Sequence, residues 1–484
     1  MSKYNHNQFI AQFRSFRQQL RSCFESLGDS IIDLLDALAG NSTGINSVAE
    51  LSLSPLFYRT YNSLYQAIKK SFSPDTDDQK LQKKLSKLLT TVAQIIPTPK
   101  ERPFYLFAID TTPAPRPYAQ TMPERGYIYQ PNTVKGNKPI NIGHSYSIVS
   151  ILPQKDTSVS AAWAIPLSGE RVRPDLSATS TGNEQIKAIL SDKSLPWFDS
   201  LCVLAADSSY SERSFLFEQC KHQNLVVVAR VRSNRVFYQS HQAPKDDTPR
   251  RGCPKKYGLR FSLQESDTWH SPDQTTTTQH ITRKGRQLTV MIQAWHNMLM
   301  RGTQQEKMYR HPFTLMRISV IDDTNTPLWK PMWLIVIGSQ KHQLGCELVY
   351  SSYRQRFDIE HMLRFSKQRL LMTQFQTPQT EHEENWIRLV MLAYVQLWAA
   401  KELARHLPKP WERYLNSSSD TIITPSTVQR DFPRIIQEIG KPGNSPKPRG
   451  NSLGRVAGQT QPKRTKHPVV NKGKKSHKLP SQVA

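Results

Sequence analysis

The stretch YRQRFDIEHMLRFSKQRL at 353–370 holds five basic residues and two carboxylates in a helix-like pattern. At about 100° per residue, with Tyr353 at zero, Arg356 falls at about 300°, Glu360 at about 340° and Lys367 at about 320°. These four share a stripe ~60° wide, with Ile359, Leu363 and Leu370 beside it as the expected buried edge. Asp358, at about 140°, lies on the far side and is expected to be solvated. Glu360 could make ordinary i,i+4 salt bridges with Arg356 and Arg364, each contributing ~0.3–0.5 kcal/mol. It could instead hold a metal ion while the cations hold phosphates, an arrangement suited to phosphodiester chemistry. With each residue type at roughly 5% abundance, the spacing Y-x2-R-x3-E-x6-K arises by chance in such a chain on the order of a few times in a thousand.

Two more acids close apolar runs. Asp110 ends FYLFAID and Asp207 ends LCVLAAD, each followed by small polar residues. Strand ends in α/β sheets combine a rigid scaffold with an open loop, so sites gather there. Asp207 equally suits the N-cap of a helix expected from about Ser211. Three carboxylates from separate elements suffice for Mg²⁺, a hard ion that needs neither His nor Cys. Without metal they would repel one another and resist full ionisation.

The elements that must position these residues follow from periodicity. Residues 1–97 space apolar side chains at three and four, predicting a helical domain with Arg14, Arg17, Arg21, Lys69, Lys70, Lys83, Lys84 and Lys87 on polar faces. Either a solvated helical domain or a DNA-docking domain fits. From 98 to 234 the pattern changes to three successive strands (104–110, 144–152, 160–167), a helix, the strand at 201–207, a helix and the strand at 225–232. That order predicts an α/β sheet with crossover connections. A β-rich block at 235–345 reads as an insertion domain, and 346–439 as the second part of the core with C-terminal helices. The remainder, 440–484, is rich in Pro, Gly, Ser and Lys and reads as a disordered basic tail.

The formal charge of +26 favours a polyanionic partner, nucleic acid ahead of a membrane surface. Eleven Lys or Arg and no acid lie in the tail, which leaves +15 on the other residues. The five cysteines form no metal-binding pattern and read as reduced thiols. No signal-like apolar run opens the chain, and the longest greasy segment, 386–400, is short and carries Arg388. A cytoplasmic location is expected.

Strand-end Asp, second strand-end Asp, β-rich insertion and then a helix with Tyr353, Arg356, Glu360 and Lys367 together resemble the DDE transposases of bacterial insertion sequences, the group with the YREK signature. The likeness covers about 102–371 in organisation. It implies a ribonuclease-H-like catalytic core and cut-and-paste DNA transposition in a prokaryotic cell, at the nucleoid when bound to DNA. Asp110, Asp207 and Glu360 would hold two Mg²⁺, with Mn²⁺ able to substitute. Tyr353, Arg356, Arg364 and Lys367 would contact DNA, and Trp333 or Trp329 in the insertion would stack on a displaced base. Terminal inverted repeats, target DNA and a homodimer on DNA are the implied partners. Two other readings stay open: a structure-selective nuclease on the same core and a repurposed, non-catalytic DNA-binding protein. The stretches PRPYAQTMPERGY (115–127) and NIGHSYSIV (141–149), with the basic tail, resemble a cyanobacterial or related subgroup of that transposase family.

Overall fold

The structure is a computed structural model that describes residues 3–42, 44–72, 78–130, 139–155, 161–241, 255–281, 285–324, 326–406, 422–446, 458, 460 and 463–471. Four helices come first: α1 (Lys3–Ser22), α2 (Gly28–Ala39), α3 (Tyr61–Lys70) and α4 (Asp78–Ala93). A strand-rich stretch follows with β1 (Tyr105–Pro115), β2 (Gly126–Tyr129), β3 (Ile140–Leu152), β4 (Ile165–Arg171), α5 (Ala178–Ser191), β5 (Cys202–Ala206), α6 (Arg213–Gln219) and β6 (Leu225–Val231). Next are β7 (Val236–Ser240), β8 (Tyr257–Ser262), β9 (Gln274–Ile281), β10 (Gln287–Met298), β11 (Phe313–Asp322) and β12 (Met332–Ile337). The last helices are α7 (Cys346–Gln355), α8 (Phe357–Arg369), α9 (Thr380–Ala399), α10 (Lys401–His406) and α11 (Pro425–Ile439).

One mixed sheet runs β2-β3-β1-β5-β6-β12-β11-β10-β9, with β4 also paired to β3. β1, β5 and β6 are parallel, while β3 is antiparallel to β1. The apolar runs CVLAA and LVVVA are buried on both faces, as interior parallel strands must be. The strands of the insertion are continuous with this sheet, because β12 pairs antiparallel with β6 from Trp333↔Val231 to Ile337↔Val227. On the outer strands burial alternates along β10 and β11, and the Thr-rich β9 closes the edge half-exposed.

The helices at the two ends of the chain share a core. Phe13 on α1 meets Phe432 on α11 edge to face, and Trp398 on α9 donates through Nε1 to the Ile95 carbonyl at 3.0 Å. Asn385 of α9 likewise donates to the Ile68 carbonyl at 3.0 Å. Arg17, expected on a solvated face, is buried instead, its Nη2 donating to Asp36 at 2.8 Å and its Nη1 to Gln396 at 2.9 Å. A helical repeat places residues on faces but cannot say which face meets a distant partner.

Much of the proposed disordered tail lies outside the described residues. Within them, Lys441 donates to Asp33 at 3.0 Å and sits over the Tyr58 ring at 3.8 Å, so it belongs to the folded body. Residues 463–471 run beside the turn that precedes β2, where His467 N donates to the Gln120 carbonyl at 2.9 Å and Val470 N to the Arg125 carbonyl at 2.7 Å. No described helix is long and apolar enough to cross a membrane.

Candidate active site

Register brings the first two acids together. The last pair between parallel β1 and β5 is Ile109↔Ala206, so Asp110 and Asp207 are the next residues on neighbouring chains, roughly 5 Å apart at the backbone. Asp110 does not end its strand, as the sequence suggested. β1 continues to Pro115 on the strength of its pairing with β3, and only the pairing with β5 stops. A glycine lets a helix approach closely here: a Cβ at Gly182 on α5 would stand 2.7 Å from Ile109 Cδ1.

Glu360 comes from α8, which packs on β1. Arg356 ties it to the sheet, with Nη2 donating to Glu360 Oε1 at 2.8 Å while Nη1 stands 3.9 Å from Asp110 Oδ2. Arg356 is buried, its guanidinium over the rings of Tyr353 and Phe357. Burial opposes its charge, but Tyr353, Glu360 and Asp110 hold Arg356 above the usual arginine value. Burial pushes Asp110 up to about 6 against the pull of Arg356 and the Thr111 amide, and the charges of Asp207 and Glu360 push the same way. The half-buried Lys367 is pulled down by burial while Asp110 opposes that shift. Asp207 Oδ1 accepts from Ser209 N at 2.9 Å, which caps the short 3₁₀ turn Ser208–Ser211 and not the α-helix expected after it, since the N-cap of α6 is Glu212.

The three carboxylates therefore face one another electrostatically without forming a finished metal centre. Among the described residues no group of three or more His, Cys, Asp or Glu side chains is placed to hold a metal ion. Arg356 supplies the counter-charge that bridges Asp110 and Glu360. The donor set is entirely carboxylate oxygen, the chemistry a hard divalent ion takes, and an acid displaced to about 6 is one that a cation would return to its ionised form.

Other sequence expectations are redrawn. Asp358 is buried rather than solvated, and Lys155 Nζ stands 2.8 Å from its Oδ2. The helix is interrupted at Arg356, whose N bonds to the Tyr353 carbonyl at 3.1 Å, so a single 100° projection does not run through it. Trp333 is buried among Trp269, Trp295 and Phe261, whereas Trp329 is half exposed. Tyr353 is buried with its ring under the Arg356 guanidinium, while Arg364 is exposed on α8. The basic segment RRGCPKKYG at 250–258, which reads equally as a phosphate-contacting loop or a solvated linker, lies largely outside the described residues. Sequence reasoning missed Arg230, an exposed cation on otherwise buried β6 whose charge reaches Tyr353. Its signal was a lone Arg inside LVVVARV.

Residues 20–301 match the family described as DDE superfamily endonuclease, more than half of the chain, and the protein belongs to that superfamily. The match takes in Asp110 and Asp207 and ends before α7 and α8, so it does not reach Glu360 or the YREK spacing. No curated protein matches the chain.

Proposed function

We propose that this DDE-superfamily endonuclease is a transposase that cleaves DNA at the ends of its element and joins them to a target, with Asp110, Asp207 and Glu360 as its acids. The observation that carries this reading is Arg356, hydrogen-bonded to Glu360 and 3.9 Å from Asp110. It connects the superfamily-matched strand to the YREK helix that lies beyond the match. The mixed sheet, with antiparallel β3 beside three parallel strands, supports a ribonuclease-H-like core. Asp110, Asp207 and Glu360 would hold Mg²⁺, which when bound stabilises charge on the attacking and leaving oxygens of a phosphodiester.

The chain's own residues do the positioning. Arg356 is locked between two aromatic rings and offers a guanidinium to a phosphate once the acids are otherwise neutralised. Lys367 and the exposed Arg364 hold the strand farther along α8, and Arg230 holds it from β6. Joining two ends in one reaction calls for at least a dimer on DNA.

A labelled duplex bearing the element's terminal inverted repeat tests this reading. Glu360→Gln should lower Mg²⁺-dependent cleavage and strand transfer by at least ~10²–10³-fold while duplex binding stays near wild type. Wild-type cleavage by Glu360→Gln would remove α8 from the site. Cleavage without strand transfer by the wild type would favour the nuclease reading.

A further inference from the structure

The turn at 115–127, which the carboxylates leave without a role, is a built platform. Arg125 is buried and donates from Nη1 to the carbonyls of Arg116 at 3.0 Å and Pro117 at 3.2 Å, while Met122 fills the space beneath. Arg116 anchors the same turn to the loop after α8, donating to the carbonyls of Thr373 at 3.0 Å and Phe375 at 2.9 Å. The platform offers two carbonyls, of Gln120 and Arg125, and the tail takes both. Val470 also forms a parallel bridge with Gly126, so the tail is held along 120–125 and meets the free edge of β2 at its first residue.

This pinning sets exposed cations at 463–466, leading up to the Gly126 bridge, in one line with the rings of Tyr127 and Tyr129 beyond it. Lys463, Arg464 and Lys466 are exposed, and among the described residues no carboxylate pairs with them. Tyr118 is 94% exposed, and Tyr127 and Tyr129, two apart on the same side of β2, are 61% and 66% exposed. Cations alone would suit phosphates of any nucleic acid. Three large rings left in water need another account, and a duplex keeps its base faces stacked away. An unpaired strand offers both phosphates and π-faces.

We infer that residues 463–471, pinned along 120–126, form with Tyr118, Tyr127 and Tyr129 a second nucleic-acid surface that binds single-stranded DNA. It is distinct from the carboxylate site. Asp110 and Pro115 are five residues apart on β1, roughly 16 Å, and the platform begins there. The inference rests on DNA being the substrate, and it adds where an opened strand would travel.

Anisotropy of a fluorescein-labelled single-stranded 15-mer, titrated with the full chain in parallel with a duplex of the same sequence, tests it. The Tyr127→Ser/Tyr129→Ser variant should weaken single-strand binding by about tenfold or more and leave duplex binding near wild type. Lys463→Ala/Arg464→Ala/Lys466→Ala should weaken it and lower the salt slope by about 2. Val470→Pro keeps every charge but removes the amide that donates to Arg125, and it should weaken single-strand binding as the triple variant does. If Val470→Pro and the tyrosine variant bind like wild type while the triple variant does not, the tail is an unpinned polycation and the surface is refuted. A wild type that binds duplex but not single strand refutes the surface alone. A wild type that binds neither sinks the DNA reading itself. Should Val470→Pro perturb folding, the tyrosine variant still decides, because both rings lie in solvent.

Discussion

Asp110→Asn should stabilise the metal-free protein while abolishing cleavage. Burial, reinforced by the charges of Asp207 and Glu360, lifts Asp110 to about 6, from the ordinary value near 3.8. The folded state therefore binds a proton that the unfolded chain releases between about pH 4 and 6, and stability falls as pH rises through that window. Above it the ionised carboxyl costs at most about 3 kcal/mol, at 1.36 kcal/mol for each unit of displacement. Asparagine keeps an oxygen for the Thr111 amide, which donates to Asp110 Oδ1 at 2.8 Å, and removes the charge. A gain of about 1–3 kcal/mol is expected at pH 7.5, seen as a rise of roughly 1–3 °C in melting temperature. At pH 5 the gain should shrink. Mg²⁺ at a hundred times its dissociation constant should add about 2.7 kcal/mol to the wild type and much less to the variant, so the variant's advantage is largely lost or reversed. Thermal melts of both proteins at pH 5 and 7.5, with and without Mg²⁺, measure all four quantities. A variant that melts below wild type at pH 7.5 without metal, or that gains equally from Mg²⁺, would show that Asp110 is a structural carboxylate and refute the reasoning.

Three other substitutions probe the surroundings. Arg356→Lys keeps a charge but loses the planar fork that reaches Asp110 and Glu360 together, so cleavage should drop by roughly 10–100-fold with folding intact; unchanged turnover would make Arg356 a mere counter-ion. Asp358→Asn should change stability by less than about 1 kcal/mol in denaturant melts, because burial raises Asp358 against the pull of Lys155, whose one-third-exposed amine can turn to water, and cleavage per folded molecule should be preserved. Glu383 lies fully buried, with Arg116 Nε at 2.8 Å and the Tyr146 hydroxyl donating at 3.0 Å. Glu383→Gln should therefore cost ~3 kcal/mol or more, and an unshifted denaturation midpoint would contradict that role.

The sequence made the acids legible for different reasons. Asp110 and Asp207 follow apolar runs that can only be interior strands, and their parallel register then sets them side by side. Glu360 was legible through its spacing to Arg356, one helical turn, which survives the break in the helix because both residues lie close to it. The break itself was not legible, since RQRFD carries neither Gly nor Pro. Asp358 was misjudged for the same reason, and because Lys155 arrives from a loop 203 residues away. The Nδ1 of His144 on β3 stands 2.5 Å from Glu383 Oε2 on α9, a contact between residues 239 apart in the chain. The reach of the N-terminal helices onto α9 and α11 was hidden because amphipathicity marks a face without naming its partner. The short strand β2 carries little periodicity, and its outer neighbour lies more than 300 residues further along the chain.

The pairing of β12 with β6 has a consequence for anyone who trims this protein. Removing 235–345 to obtain a minimal nuclease would strip β6 of its neighbour and leave a row of unpaired amides and carbonyls along LVVVARV, a strand buried almost throughout. Such an edge templates pairing with other chains. The shortened protein should precipitate, or pair edge to edge with its copies, before its catalytic competence could be measured. A lysine or proline on the edge of β6 would be needed to keep it soluble.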